Sequence, residues 1–187
     1  MEHQTKKLNI SRSSPQGQAL VEWWQSLESD RGGRAALRRA ESPLAIAFCP
    51  AYQRLYRRLL WAGMPELSDF SKERLAAVCG LLAHVREDYF DKQEGDTTAT
   101  AGRSNEDALP HLVSMMNASH PDERNPVSEL RFRRLLESPD TQSLFSGLRR
   151  ALPLMGSRVD IIALANDVLY WGDRVKKKWA YNYRWAE

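Results

Sequence analysis

The chain has 187 residues, of which 42% are hydrophobic and 27% charged, with a formal net charge of +3. That length suits one compact domain or two small ones, with enough apolar residues for a core. No run approaches the ~18 or more apolar residues of a spanning helix, and MEHQTKKLNISRSSP lacks the apolar stretch of a signal peptide. Cys49 and Cys79 lie far apart and outside any CxxC, which argues against a zinc site or a disulfide scaffold. The expectation is a reduced, soluble, cytoplasmic protein with no membrane partner.

Taken in order, the chain reads as helices separated by short punctuation. Residues 1–14 are polar and expected to be loose. Ser14 and Pro15 offer a cap and a first-turn proline, and Leu20, Trp24 and Leu27 then recur at helical spacing, predicting a helix over 15–29. Asp30 to Gly33 reads as a break. Arg34 to Ala40 restarts a short helix in which Arg34 and Arg38 share a face. Pro43 and Pro50 bracket a short apolar piece.

The segment PAYQRLYRRLLW from Pro50 is strongly two-faced, with Tyr52, Leu55, Tyr56 and Leu59 on one side and Arg54, Arg57 and Arg58 on the other. Gly63, Met64 and Pro65 end it. Ser71 is the expected cap of the next helix, where Leu75, Val78, Leu82, Val85 and Tyr89 carry a bundle-like seam to about Asp88. Residues 91–107 turn to Gly, Thr, Ser, Asp and Glu and read as a flexible loop, the best candidate boundary between an N-terminal helical part (15–90) and a C-terminal one (108–187). Ala108 to Asn117 is apolar enough for a short helix. Further helices are expected after Asn125–Pro126, after Ser138–Pro139 up to Gly156, over 158–171 and over 173–183. With no alternating strand pattern and no fixed repeat, the fold class is all-α, a bundle of eight to nine helices with room for two small subdomains.

Charge is segregated along this plan. Arg31, Arg34, Arg38, Arg39, Arg54, Arg57 and Arg58 share their interval with one acid, Glu41, while Glu87, Asp88, Asp91, Glu94, Asp96, Glu106 and Asp107 gather downstream. Catalytic signatures are missing: there is no GK[ST] phosphate loop, GxGxxG, HExxH or GxSxG. The four histidines, His3, His84, His111 and His120, are dispersed, and the angular count puts His84 opposite the seam as an exposed residue. His111 with Asp107, or His120 with Asp122 and Glu123, supplies neither a nucleophile nor a ligand set, so neither an enzyme nor a metal or other cofactor is expected.

What remains is a basic surface. Arg131, Arg133 and Arg134, then Arg149 and Arg150, then Arg174 with Lys176, Lys177 and Lys178, recur on successive helices, each displayed opposite an apolar stripe. Two readings stand: phosphate contact without base reading, or solubilising charge paired across the bundle. The six tryptophans, Trp23, Trp24, Trp61, Trp171, Trp179 and Trp185, could stack bases where exposed, but most fall on core stripes.

The order of these pieces resembles a known family. SELRFRRLLESPDTQSLFSGLRRALPLM followed by VDIIALANDVLYWGDRVKKKWAYNY is similar to the C-terminal half of CasB, the small-subunit family of the type I-E CRISPR surveillance complex Cascade. The Trp23–Trp24 helix, RAALRRA and PAYQRLYRRL resemble that family's first helices. The resemblance implies a non-catalytic helical subunit, present in two copies, that contacts backbone and large subunits and steadies guide RNA and target DNA in the R-loop. It implies nucleic-acid contact at Arg38, Arg39, Arg131, Arg133, Arg134, Arg149, Arg150, Arg174, Lys176, Lys177 and Lys178. The family tends to place a small-residue, Arg-containing helix where this chain has DALPHLVSMM, so no contact is expected there. A purely structural adaptor, whose arginines meet only acidic protein surfaces, is the alternative. A helix-turn-helix regulator would need a recognition helix with a set of base-reading residues such as Asn or Gln among the cations, and the expected helices show Arg and Lys without that companion set.

Overall fold

A computed structural model of the chain describes residues 8, 10–89, 112–119 and 123–185. The loop expected over 91–107, and His3, His111 and His120, lie outside the described residues. Nine α-helices are present among them: α1 (Pro15–Ser26), α2 (Arg31–Arg39), α3 (Pro43–Ala47), α4 (Pro50–Trp61), α5 (Asp69–Leu82), α6 (Glu129–Leu136), α7 (Thr141–Ala151), α8 (Ile161–Leu169) and α9 (Asp173–Asn182). The all-α expectation therefore holds, with one small addition. Two two-residue strands, β1 (Glu87–Asp88) and β2 (Arg158–Val159), pair in parallel.

Short polar side chains start most of these helices, because the first backbone N–H groups have no partner within the helix. Ser14 accepts from Gly17 N–H, Asp30 from Gly33, Ser42 from Ala45, Ser68 from Ser71 and Asp140 from Ser143. The expected cap Ser71 is therefore displaced by Ser68, and the break expected over Asp30 to Gly33 is the first turn of α2. Asp30 caps α2, so both glycines fall inside the helix. The apolar segment expected over 108–117 is a 3-10 turn at Leu112–Met116 where it is described. Gly156 closes the turn after α7 at a φ of 69°, as a left-handed terminator should.

Burial organises the fold around α5. Every residue from Leu75 to Leu82 is buried, the pattern of a helix apolar on all sides, and α2, α3, α7 and α8 pack on it. Gly80 makes the close approach of α3 possible, since a Cβ there would lie 2.2 Å from Ile46 Cδ1. Trp23 and Trp24 donate their indole N–H groups to Ala51 O (3.0 Å) and Leu82 O (3.1 Å), tying α1 to α4 and α5. Phe132, Trp179 and Tyr183 stack between α6 and α9, with 3.9 Å between the Phe132 and Tyr183 rings. Packing thus claims four tryptophans, whereas Trp61 is 83% exposed and Trp185 38%.

The seam expected to carry α5 to Asp88 stops at Leu82, for a tertiary reason. Ala83 O accepts from Arg34 Nε (3.1 Å) and Arg38 Nε (2.8 Å), and Val85 O accepts from the Arg34 guanidinium (2.5 Å). Those carbonyls would otherwise accept from helical N–H groups four residues on. Arg86 N–H instead donates to Ser157 O at 2.8 Å, which draws the chain into the β1–β2 ladder. At the far end of that ladder Arg12 binds two carboxylates, Asp88 (2.7 Å) and Asp160 (3.1 Å), both nearly inaccessible. Asp160 in turn caps α8 through the Ile162 and Ala163 N–H groups. The N-terminal segment is strapped alongside, with Asn166 donating to Ile10 O at 2.6 Å.

Candidate nucleic-acid interface

α6 and α7 form an angle closed by Ser138–Pro139. Phe132 and Leu135 of α6, and Thr141, Leu144, Phe145, Leu148 and Ala151 of α7, are buried, and Arg131, Arg134 and Arg150 are left exposed on the outer faces. Gly147 lets the helices approach, since a Cβ there would lie 2.6 Å from Leu135 Cδ2. Between them runs an open groove of about 580 Å³ whose walls include Arg131 and Arg134 from α6 and Arg150 from α7, with Ser138, Gln142 and Ser146 on the floor and rim.

Among the described residues none of these three arginines forms an ion pair, although Glu137 shares the groove. Arg150 Nε donates to Ser146 O at 3.0 Å, which orients the guanidinium along its own helix and leaves its terminal N–H groups outward. Asp140, the nearest acid to the start of α7, is engaged by the Ser143 N–H and hydroxyl, which hold its carboxyl below the usual range. Two guanidiniums from one helix and one from the next, around neutral hydrogen-bonding side chains, make a surface suited to phosphate oxygens.

The other basic residues singled out from sequence have several fates. Arg133 turns from the groove to pair with Glu129 at 2.5 Å and lies over the Trp185 ring. Arg149 is half-buried and donates to Ala40 O (3.1 Å) and Arg38 O (2.9 Å), closing the end of α2. Arg38 is itself engaged with Ala83 O. The expectation that each C-terminal cluster is displayed is therefore corrected at Arg149, and Arg38, which the resemblance placed in contact with nucleic acid, also turns inward. Carbonyl oxygens at helix ends lack N–H partners and attract cations. Lys176 reaches Ser138 O at 3.3 Å and the Trp171 ring, which sets α9 beside the groove's end. Arg39, Arg174, Lys177 and Lys178 are exposed.

His84 corrects a second expectation. With α5 ended at Leu82, this residue sits in the turn behind Arg34, Arg38 and Arg149, half-buried, with Nε2 enclosed and unpartnered. Burial first, then Arg149, Arg38 and Arg34, push its pKa down to about 4. Sequence reasoning also missed Ser138, Gln142 and Ser146, which carry no charge signal and matter only through the meeting of two helices.

Among the described residues no group of three or more His, Cys, Asp or Glu could hold a metal ion, and no helix is long and apolar enough to cross a membrane. Fold and surface together define a class: a small helical protein built to present cationic faces. The family described as CRISPR-associated protein Cse2 matches residues 33–183, from within α2 to just past α9, and the chain belongs to that family. It is thus a small subunit of the type I-E Cascade complex, a structural component working with other subunits, as the resemblance to CasB implied. No curated protein and no solved structure matches the chain significantly.

Proposed function

We propose that this subunit is non-catalytic and steadies guide RNA and target DNA inside the cell by neutralising phosphates along the α6–α7 groove, with the exposed cations of α9 extending the path. The observation that carries this reading is the convergence of Arg131, Arg134 and Arg150 on one groove with no ion pair among the described residues. A solubilising arginine gains nothing from such convergence, since like charges repel when brought together. An anionic polymer offsets that repulsion and releases its own counterions on binding. Sequence reading is then left to guide pairing, and the groove needs no base-specific side chains.

Replacing Arg131, Arg134 and Arg150 together by Glu in the assembled complex tests this. All three are exposed, so the melting temperature should hold. Affinity for target DNA at physiological salt should fall by roughly 10–100-fold, and the slope of log affinity against log salt should flatten by about 2–3, given ~0.7–0.9 per lost phosphate contact. An unchanged slope would refute the groove as a phosphate site.

The adaptor reading keeps one specific support. Beside α3, Leu44, Ala47, Tyr52 and Tyr56 line an open groove edged by Asp69, Lys72 and Glu73, and Leu44 is exposed there, a surface suited to a neighbouring protein subunit. Two copies of the chain and contacts to the backbone and large subunits belong to the same proposal. Crosslinking within the complex separates the two readings, since adducts to protein alone at Arg131, Arg134 and Arg150 would favour the adaptor.

A further inference from the structure

α4 carries a surface that the groove does not explain. Its buried stripe is Ala51, Tyr52, Leu55 and Leu59. The opposite stripe, read at three- and four-residue steps, is Arg54, Arg57, Arg58 and Trp61, one arginine per turn or more leading to an indole. The helix contains no acid at all. Arg54 pairs with Asp30, the cap of α2, which anchors the row at one end; Arg57 and Arg58 make no ion pair among the described residues.

Trp61, at the other end, is 83% exposed. The backbone of the helix end that carries it is fixed. Gly63 N–H donates to Leu60 O (3.0 Å) and Met64 N–H to Leu59 O (2.9 Å), with Gly63 at a φ of 80° and Met64 buried. That is a Schellman ending, which satisfies the last carbonyls of the helix. Gln16 of α1 donates to Ala62 O at 2.8 Å and fixes the same terminus from outside. The indole therefore projects from an ordered helix end, where Arg58 in the last turn offsets the partial negative charge of the terminus.

We infer that the Arg54–Arg57–Arg58–Trp61 stripe of α4 is a second binding site, which takes an unpaired nucleotide segment with its phosphates on Arg57 and Arg58 and a base stacked on Trp61. This rests on the nucleic-acid reading of the subunit and narrows its substrate to single strands. A base inside a duplex is already stacked on both faces and offers Trp61 nothing. An unpaired one gains a platform, and any base has a suitable face, so the contact is independent of sequence. The row of cations favours this occupant over an apolar pocket of another subunit, which would have to bury or pair Arg57 and Arg58 as well as cover the indole.

The test uses the full chain and short oligonucleotides of thymidine and of uridine, with a duplex of equal length as control. Trp61→Ala should weaken single-strand binding by roughly 5–100-fold, Trp61→Phe should retain most of it, and duplex binding should not change. Arg57→Ala should flatten the salt slope for single strands by about 0.7. Thymidine and uridine arms that respond alike support a shared unpaired-nucleotide site, and a response in one alone assigns the polymer. If Trp61→Ala leaves single-strand affinity unchanged while the groove variant still weakens target DNA, the α4 site falls and the groove stands. If Trp61→Ala instead releases the subunit from the complex without altering oligonucleotide affinity, the indole fills a protein pocket and the inference is overturned.

Discussion

At the end of α5, Arg34, Arg38 and Arg149 direct their N–H groups inward onto the carbonyls of Ala83, Val85, Ala40 and Arg38. Between α6 and α7, Arg131, Arg134 and Arg150 line an open groove. Arg149 and Arg150 are adjacent in the chain, so the contrast turns on one helical step of about 100° and not on residue type. The inward cluster shows how arginine can serve as a helix terminator across elements. It satisfies carbonyls that the helices leave open, and burial together with Arg38 lowers the pKa of Arg34. In the outward cluster Arg150 makes one such bond, to Ser146 O on its own helix, and among the described residues none of the three forms an ion pair, which leaves them able to meet an external anion.

The largest effect expected from this contrast is on stability. Arg149→Ala removes two hydrogen bonds to carbonyls in a half-buried junction, and bonds from a charged donor contribute about 1.5–3 kcal/mol each when not fully solvated. Allowing for partial water access, the loss should be about 2–3 kcal/mol, or roughly 5–10 °C in melting temperature for a chain of this size. Nucleic-acid affinity of the folded variant should hold, because Arg149 does not line the groove. Thermal unfolding and filter binding on one preparation check both halves, and a stable variant with weakened binding would reverse the assignment.

Acidification probes the same junction through His84, whose pKa is pushed down to about 4 by burial and by Arg149, Arg38 and Arg34. The unfolded chain has the ordinary value near 6.5. Between the two values the unfolded state binds more protons than the folded one, so stability rises with pH through this window and levels off above it. Because His84 is only half-buried, solvent screening reduces the effect to about 1–2 kcal/mol lost on going from pH 7 to 4. Urea unfolding across that range should show the slope, and His84→Gln should flatten it. A variant with the same pH dependence as the parent would place the titrating group elsewhere.

Much of the fold was legible because helix periodicity and capping are local. Ser14–Pro15, the two-faced α4 from Pro50 and the Gly156 terminator all stand as read, the piece bracketed by Pro43 and Pro50 is the short helix α3, and the family resemblance agrees with the match over 33–183. What escaped was tertiary. The end of α5 is set by arginines from α2, far back in the chain, and β1 is visible only through its pairing with β2. Within the candidate site, periodicity gave the direction in which Arg131, Arg134 and Arg150 point, but it could not show that Arg38 and Arg149 have carbonyls waiting. A helix-face count assumes that the opposite side meets water. At Arg149 it meets the end of α2.

The smallest effect makes the sharpest comparison, because it lies within a single helix. Arg133 and Arg134 are sequence neighbours on α6, yet one pairs with Glu129 and lies over Trp185, while the other lines the groove. Arg133→Ala should lower stability by only about 0.3–0.5 kcal/mol, the usual worth of an exposed pair one turn apart, and leave the salt slope of nucleic-acid binding unchanged. Arg134→Ala should leave stability within about 0.5 kcal/mol of the parent and flatten the slope by about 0.7–0.9, one phosphate contact. Titration of binding against salt for the two variants distinguishes them even where affinities at one salt concentration overlap. Equal slopes would mean that the groove does not select among the arginines of α6, and that the cationic face acts only through its summed field.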